Sequence, residues 1–419
     1  MSDGLSIPSF QRGYLSEYFE GVAYKILSAV EADPKKSNQH ELNVTKALKR
    51  VLGSTERKFE TLFLYFEGEQ QSFEDSGTLT LYDSRKANPL RSAELRAYYT
   101  TNAVSQAMEP GNSLFLARLT DDTVLFIVTP EGSTISRQIK WLFGISDQAT
   151  LKFETRVFDG DADSELDFVS RQILEMIGIE IEDPNANTVE AIVARYKAFP
   201  PTKVFSKHAR DTLPGVDARD DPDAALMMWL EHEEAMFRSL EARLLAERVE
   251  QGFLTSDGTA DVDAFVKTSL SVQNRRKSRM GHSLEHHVRA VLDAHEISYA
   301  DQFKTAKGKK PDFLFPSAEA YVDPDFPDAN LTLLAAKSTC KDRWSQVLSE
   351  ADRIQYKHLL TLEAAISPST TDTMRKEKLQ LVVPQSVQRS YSSAQQDWLM
   401  DVGEFVALVG ERQAASLAI

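Results

Sequence analysis

The sequence predicts an α/β fold in its second half, a mixed sheet flanked by helices, preceded by an α+β region. Three observations lead there. In the first 130 residues, short runs rich in β-branched and aromatic residues are punctuated by Gly, Pro, Asn and Asp, which is strand and turn chemistry. A long helical stripe opens at Asp221-Pro222. Beyond it, helix, strand, strand and helix follow in the order of an α/β core. At 419 residues the chain is too long for one ordinary core and comfortable for two domains.

Taken in order, Glu60–Phe66, Thr78–Tyr82, Ser113–Leu119 and Thr123–Val128 read as strands, and Asp121-Asp122 between the last two predicts a hairpin. Asp159–Asp167 is too acidic for a core and predicts a surface loop. Asp183-Pro184-Asn185-Ala186-Asn187 marks a boundary, giving a first domain over 1–185, a linker over 186–198 and a second domain over 199–419. Phe199-Pro200-Pro201-Thr202 breaks the chain again before Val204–Arg210. Asp221 supplies an N-cap and Pro222 the first helical position; Leu226, Leu230, Met236, Phe237, Leu240 and Leu244 build an apolar stripe, and Gly252 closes it. Ser283 can cap a further helix with Leu284, Val288, Val291 and Leu292 on one face. Phe313–Phe315 and Leu331–Ala336 read as buried strands, and a helix is expected from near Asp342.

Composition excludes several classes of protein. Apolar residues at 42% and charged residues at 26% are globular values. No run of 18 apolar residues is present, so no membrane span is expected, and the Met-Ser-Asp-Gly start carries no secretory signal. A single cysteine, Cys340, excludes a disulfide framework and a multi-cysteine zinc site, and a cytoplasmic location is the default expectation. The formal net charge of −15 conceals a local reversal: residues 271–310 hold nine Lys/Arg against four acids, net +5, and four of the eight histidines. Residues 151–200 run the other way, with eleven acids against five bases. A polyanion is attracted to the first segment and repelled by the second, although a charge run is also what a solvated face looks like.

Between 285 and 350 the ionisable residues fall at the ends of apolar elements. Asp312 opens a strand in Lys309-Lys310-Pro311-Asp312-Phe313, and Lys337 ends the next in Leu333-Leu334-Ala335-Ala336-Lys337. Glu350 lies thirteen residues further on, and Glu285 sits at the edge of the preceding helix's apolar face. Phosphodiester hydrolysis with a divalent cation needs such a set: two carboxylates to hold Mg²⁺ and a lysine to orient water or polarise the phosphate. The spacing alone also fits a strand-capping Asp312, a surface Lys337 and a solvated Glu350. An acid two residues before the lysine is the usual companion, and that position is Ala335. His282, His286 and His287 lack zinc spacing, and there is no glycine loop to cradle a nucleotide.

Longer motifs add to this. Asn274-Arg275-Arg276-Lys277-Ser278-Arg279, Gly281, Ser283-Leu284-Glu285, Lys309–Ser317, Lys337–Trp344, Glu350-Ala351-Asp352 and Leu381-Val382-Val383-Pro384 stand in the order of the EcoRII restriction endonuclease family. The chain resembles the catalytic domain of that family from about Phe199 to near its C-terminus. The resemblance implies a restriction-endonuclease-like PD-(D/E)xK core, Mg²⁺ as cofactor, double-stranded DNA as substrate, a homodimer and a cognate DNA methyltransferase in a bacterial or archaeal cell. In this family and its CCGG-type relatives the second metal-binding carboxylate has moved from the strand to the following helix. Glu350 then joins Asp312 as metal ligand, Lys337 is the catalytic lysine, and Glu285 and Tyr321 match further positions of the active site. Tyr321 also fits as a half-buried core residue.

Lys341, Asp342 and Arg343 match the base-reading segment, and their donors and acceptor suit guanine and cytosine edges in the major groove. Trp229 aligns with a residue that stacks on an extruded base, and equally suits a helix interface. Arg275, Arg276 and Arg279 read as phosphate contacts or as a solvated basic loop. Leu81–Arg85, Arg91 and Arg96, with the strand Leu114–Ala117, are similar to the family's effector DNA-binding domain; this implies a B3-like β-barrel that binds DNA through Arg85, Arg91 and Arg96 and can restrain the nuclease, although these arginines also fit as ordinary solvated charges. The function expected is a type II restriction endonuclease cutting a short CC/GG-flanked site to leave 5′-phosphate ends. The alternatives are a structure- or damage-directed repair nuclease and a DNA-binding regulator on an inactive nuclease fold.

Overall fold

The computed structural model describes residues 13–32, 40–67, 70–87, 90–158, 165–181, 186–304, 308–340 and 343–417. The chain forms two compact units. One spans 12–181 and takes in 365–367, and the other spans 182–364 and 368–419. No helix among the described residues is long and apolar enough to cross a membrane.

The first unit is built on eight strands among the described residues: β1 (Phe19–Ile26), β2 (Glu41–Asn43), β3 (Arg57–Glu67), β4 (Gln70–Asp83), β5 (Leu95–Tyr99), β6 (Ser113–Leu119), β7 (Val124–Thr129) and β8 (Glu154–Val157). Their order is β2-β5-β4-β3-β7-β6-β1-β8. Only β3 and β7 pair in parallel; the remaining pairs are antiparallel, as short connections require. β6 and β7 form the hairpin expected at Asp121-Asp122, where Asp122 turns the chain at φ 70°. Alternate residues of β3, such as Phe59 and Phe63, enter a core with Leu79, Leu81, Leu116 and Phe126. In the expected acidic loop, residues 159–164 lie outside the described residues; Asp167 caps the helix Phe168–Met176 by accepting from Ser170 N.

The second unit carries a five-stranded mixed sheet: β9 (Ala300–Asp301), β10 (Phe313–Phe315), β11 (Thr332–Lys337), β12 (Lys357–Thr361) and β13 (Leu379–Val382), in the order β13-β12-β11-β10-β9. β11, β12 and β13 are parallel, while β10 runs antiparallel to β11 and to β9. β10 and β11 are near-continuously apolar and buried, as central strands covered on both faces must be, while β12 is buried with Lys357, His358 and Thr361 beside its leucines.

Two long helices pack against each other, and one of them also packs on β11 of this sheet. The helix Pro222–Gln251 begins as predicted, with the Asp221 side chain accepting from Ala224 N at 2.8 Å, and ends at Gly252, whose φ of 72° favours glycine. The second helix departs from expectation. It runs over Val262–Ala294 and is capped by Asp261, so Ser283 lies in its interior. Its first turns escaped periodic reading because Val262, Phe265, Val266 and Leu270 face solvent, leaving no buried stripe to detect. The expected linker 186–198 is also corrected: it opens with the helix Ala186–Val193, whose Val189 and Val193 pack on Phe205, Met236, Phe237 and Leu240.

Candidate active site

The antiparallel pairing of β10 with β11 sets the geometry. Asp312 immediately precedes β10 and Lys337 is the last residue of β11, so the register brings the two ends together. The Asp312 carboxylate accepts from Ala336 N at 2.8 Å and from Lys337 Nζ at 2.7 Å, both on the same oxygen, Oδ2. Asp312 is nearly buried, whereas about a quarter (26%) of the Lys337 side chain reaches solvent. The lysine lies at the carboxyl end of a strand that is parallel to β12, the end where open α/β sheets place their ligands.

Glu285 and Glu350 complete the group. Glu285, half-buried on the helix 262–294, has its carboxyl raised above the usual range by burial first and by Asp312 second, with Arg289 and Lys337 opposing. Arg289 Nη2, one turn along, lies 3.4 Å from it. Glu350 is pushed up to about 7 by burial and by Asp312, against Lys337, Lys309 and Lys357. The structure thus brings Glu285, Asp312, Lys337 and Glu350 into one electrostatic neighbourhood. Glu350 is not on a helix, as the sequence suggested. It lies two residues beyond the short helix Trp344–Leu348, in a turn leading to β12.

Among the described residues no cluster of three or more His, Cys, Asp or Glu side chains is arranged to hold a metal. One oxygen nevertheless points to a cation. Glu350 Oε2 is buried without a hydrogen-bond partner, and this carboxyl shares its surroundings with Asp312, a second acid. A buried acceptor left unpaired beside a like charge is costly, and a hard divalent ion offsets both costs. Mg²⁺ is held by one or two carboxylates with waters and phosphate oxygens, so the donor set fits it.

Other expected site residues fall elsewhere. Trp229 is buried against His287, ring centroids 5.8 Å apart, with Arg210 over its face at 5.8 Å. That is a helix interface, and its indole is covered rather than presented to a base. Arg275, Arg276 and Arg279 lie on the helix 262–294 and not in a loop. Arg279 is buried, ion-paired with Glu233 and stacked on Phe237 at 4.1 Å, so it cannot reach a phosphate. Arg276 Nε donates to Glu241 at 2.7 Å, and Arg275 covers the Phe199 ring at 4.2 Å. Lys341 and Asp342 lie outside the described residues. Arg343 is exposed and donates back to the Thr339 carbonyl at 2.8 Å. Tyr321 is half-buried, with its carbonyl accepting from Arg353 and its ring 5.9 Å from that guanidinium. In the first unit, Arg85 and Arg96 both pair with Glu94, and Arg91 is exposed.

Sequence reading missed Glu233. Its buried carboxylate accepts from Ser283 Oγ at 2.6 Å and from His287 Nε2 at 2.7 Å besides Arg279, locking the two long helices together just behind Glu285. Burial pushes this carboxyl up, but the His287 hydrogen bond and the Arg279 charge outweigh it and hold it at about 2. A signal was present, since Glu233 falls on the stripe of Leu230, Met236 and Phe237, where an unpaired acid is untenable. Arg210 Nη1 donates to His287 Nδ1 at 3.0 Å, which leaves the ring proton on Nε2 for Glu233.

Comparison with known proteins bears on the same segment. Residues 237–406 match the family model described as EcoRII C terminal. Over 188 residues the chain is 43% identical to the type II restriction enzyme EcoRII of Escherichia coli, a match covering 45% of this chain and 45% of that one. The chain therefore matches about half the length of that curated relative. Among solved structures, metal-depleted Ecl18kI in complex with uncleaved, modified DNA is similar at a TM-score of 0.44 and 16% identity, covering 54% of this chain and 84% of that one. The restriction endonuclease PspGI–substrate DNA complex is similar at a TM-score of 0.42 and 15% identity, covering 51% and 93%.

Proposed function

We propose that this chain, whose residues 237–406 match the EcoRII C-terminal family model, is a Mg²⁺-dependent type II restriction endonuclease. It acts as a homodimer on double-stranded DNA, cutting both strands of a short CC/GG-flanked site to leave 5′-phosphate ends. A cognate methyltransferase protects the same site. The observation that carries this reading is the Asp312–Lys337 pair at adjoining strand ends, with the unpartnered Glu350 oxygen coupled to it. A binding-only protein has no use for that costly set. Two-fold protein symmetry suits a two-fold DNA site.

Asp312 and Glu350 would hold Mg²⁺, which supplies positive charge against the charge that builds on the phosphate during hydrolysis. Asp312 fixes the Lys337 ammonium at 2.7 Å and leaves its other protons free. Lys337 can then orient the attacking water or donate to a phosphate oxygen from a position set before substrate arrives. Glu285, with its raised carboxyl, can hold a proton closer to neutrality than an exposed acid does. Lys341, Asp342 and Arg343 follow Lys337 by four to six residues, so base reading and cleavage share one segment. For residues 1–185 an effector role in DNA binding and restraint rests chiefly on exposed Arg91, since Arg85 and Arg96 are paired.

Digestion of plasmid DNA in Mg²⁺ tests the reading, with Lys337→Ala alongside and fragment ends sequenced. Discrete ends are expected, with the variant slower by about 10²–10³-fold, the cost of removing one donor to a developing charge. Cleavage by Lys337→Ala at the wild-type rate would refute the assignment. Nicks confined to mismatches or junctions would point to a repair nuclease.

A further inference from the structure

We propose that Arg353 is the positioning residue that fixes Glu350 in the cation site, by fastening the turn that carries Glu350 to the loop 321–328. The proposal rests on the nuclease reading above. Glu350 sits in a tight turn, with Glu350 N donating to Val347 O at 3.0 Å and Ile354 N to Ala351 O at 2.9 Å. Ala351, the residue after Glu350, is buried with φ at 49°, in the left-handed region. A non-glycine residue is disfavoured there and stays only where its surroundings over-determine the backbone.

Arg353 is what over-determines it. Its guanidinium makes four hydrogen bonds through all three nitrogens and an ion pair. Nε donates to Asp328 Oδ1 at 2.9 Å, and Nη2 forms an ion pair with the same oxygen at 2.7 Å. Nη1 donates to the carbonyls of Tyr321 and, at 2.7 Å, Asp323; Nη2 also donates to the Phe326 carbonyl at 2.8 Å. Every acceptor lies in the connection between β10 and β11, the strands that place Asp312 and Lys337. One side chain therefore ties the turn bearing Glu350 to the connection between the other two site residues. Left untied, a half-buried carboxylate beside Asp312 gains by turning toward water. The hydrogen-bond acceptors of Arg353 all lie within this connection, so it acts through Glu350. A lysine cannot replace it, because three donors on a flexible stem do not match a planar fork of five.

The test uses the full-length Arg353→Ala and Arg353→Lys variants with three measurements. Mn²⁺ binding is followed by electron paramagnetic resonance, the Mg²⁺ dependence of plasmid cleavage is titrated, and free guanidinium is added at low millimolar concentration. Both variants should bind Mn²⁺ and respond to Mg²⁺ about 10–100-fold more weakly, the usual cost of losing an outer-shell partner, with the KM for DNA little changed. Guanidinium should restore Arg353→Ala toward wild type and leave Arg353→Lys unrestored. Wild-type Mn²⁺ affinity and Mg²⁺ dependence in either folded variant would overturn the proposal. If Arg353→Ala fails to fold, Arg353→Lys decides alone, because it keeps the charge and the stem. A wild-type chain that neither binds Mn²⁺ nor cuts DNA would overturn the nuclease reading and this role together, an outcome distinct from wild-type behaviour in the variants.

Discussion

Replacing Glu350 with glutamine should stabilise the protein while removing its cleavage activity. Burial and Asp312 together move this carboxyl from 4.5 to about 7 in the folded chain. The sign follows from linkage. Between pH 4.5 and about 7 the unfolded chain has released the proton that the native state keeps, so stability falls as pH rises through that window. Below it both states are protonated, and above it both are ionised, with the full cost in place. That displacement corresponds to at most about 3 kcal/mol, and to about 1–3 kcal/mol once solvent screening of a half-buried group is allowed for. Glutamine keeps the shape and lacks the charge, so it removes the cost. The assay is urea unfolding without divalent cations at pH 4 and pH 8.5, followed by tryptophan fluorescence. Trp229, Trp344 and Trp398, three of the four tryptophans, report on the unit that contains Glu350. Glu350→Gln should exceed wild type by about 1–3 kcal/mol at pH 8.5 and match it within about 0.3 kcal/mol at pH 4. A variant less stable at both pH values, or a gain independent of pH, would refute the reasoning.

Two further outcomes follow from buried residues. Trp229→Phe should cut DNA and perturb a 2-aminopurine at the site centre as wild type does, whereas Trp229→Ala should lose about 3–5 kcal/mol of stability by opening a cavity; a fluorescence change in the phenylalanine variant alone would reinstate base stacking. Glu233→Ala should destabilise by about 3–5 kcal/mol at neutral pH, because Arg279 is left as an uncompensated buried charge. With its folded value depressed to about 2, the Glu233 contribution is fully present above about 4.5 and is lost as pH falls toward 2. Urea titrations of wild type and variant should therefore converge as the pH is lowered from 5 to 2.5, and a constant gap would show that the charge is not what matters.

How far the sequence could be read depended on the range of the forces involved. Asp221-Pro222 and Gly252 bounded one helix correctly because capping is settled within a turn of chain. Ser283 misled for the converse reason: it has the chemistry of a cap, but its hydroxyl is spent on Glu233, fifty residues away. Trp229 and Arg279 suited DNA as residue types, and only their burial against the neighbouring helix shows otherwise.

By itself, the sequence determined that Phe313–Phe315 and Leu331–Ala336 lie in buried strands, where Asp312 and Lys337 sit relative to their ends, and which family the second half resembles. All three depend on local periodicity and residue identity. Only the tertiary structure decided that Asp312 meets Lys337 at 2.7 Å, that Glu350 leaves its helix for a strained turn, and that Arg353 makes four hydrogen bonds to the connection between β10 and β11. Those are pairings of charges and backbone groups distant in sequence. Burial, which no local pattern specifies, sets what each one costs and what it contributes.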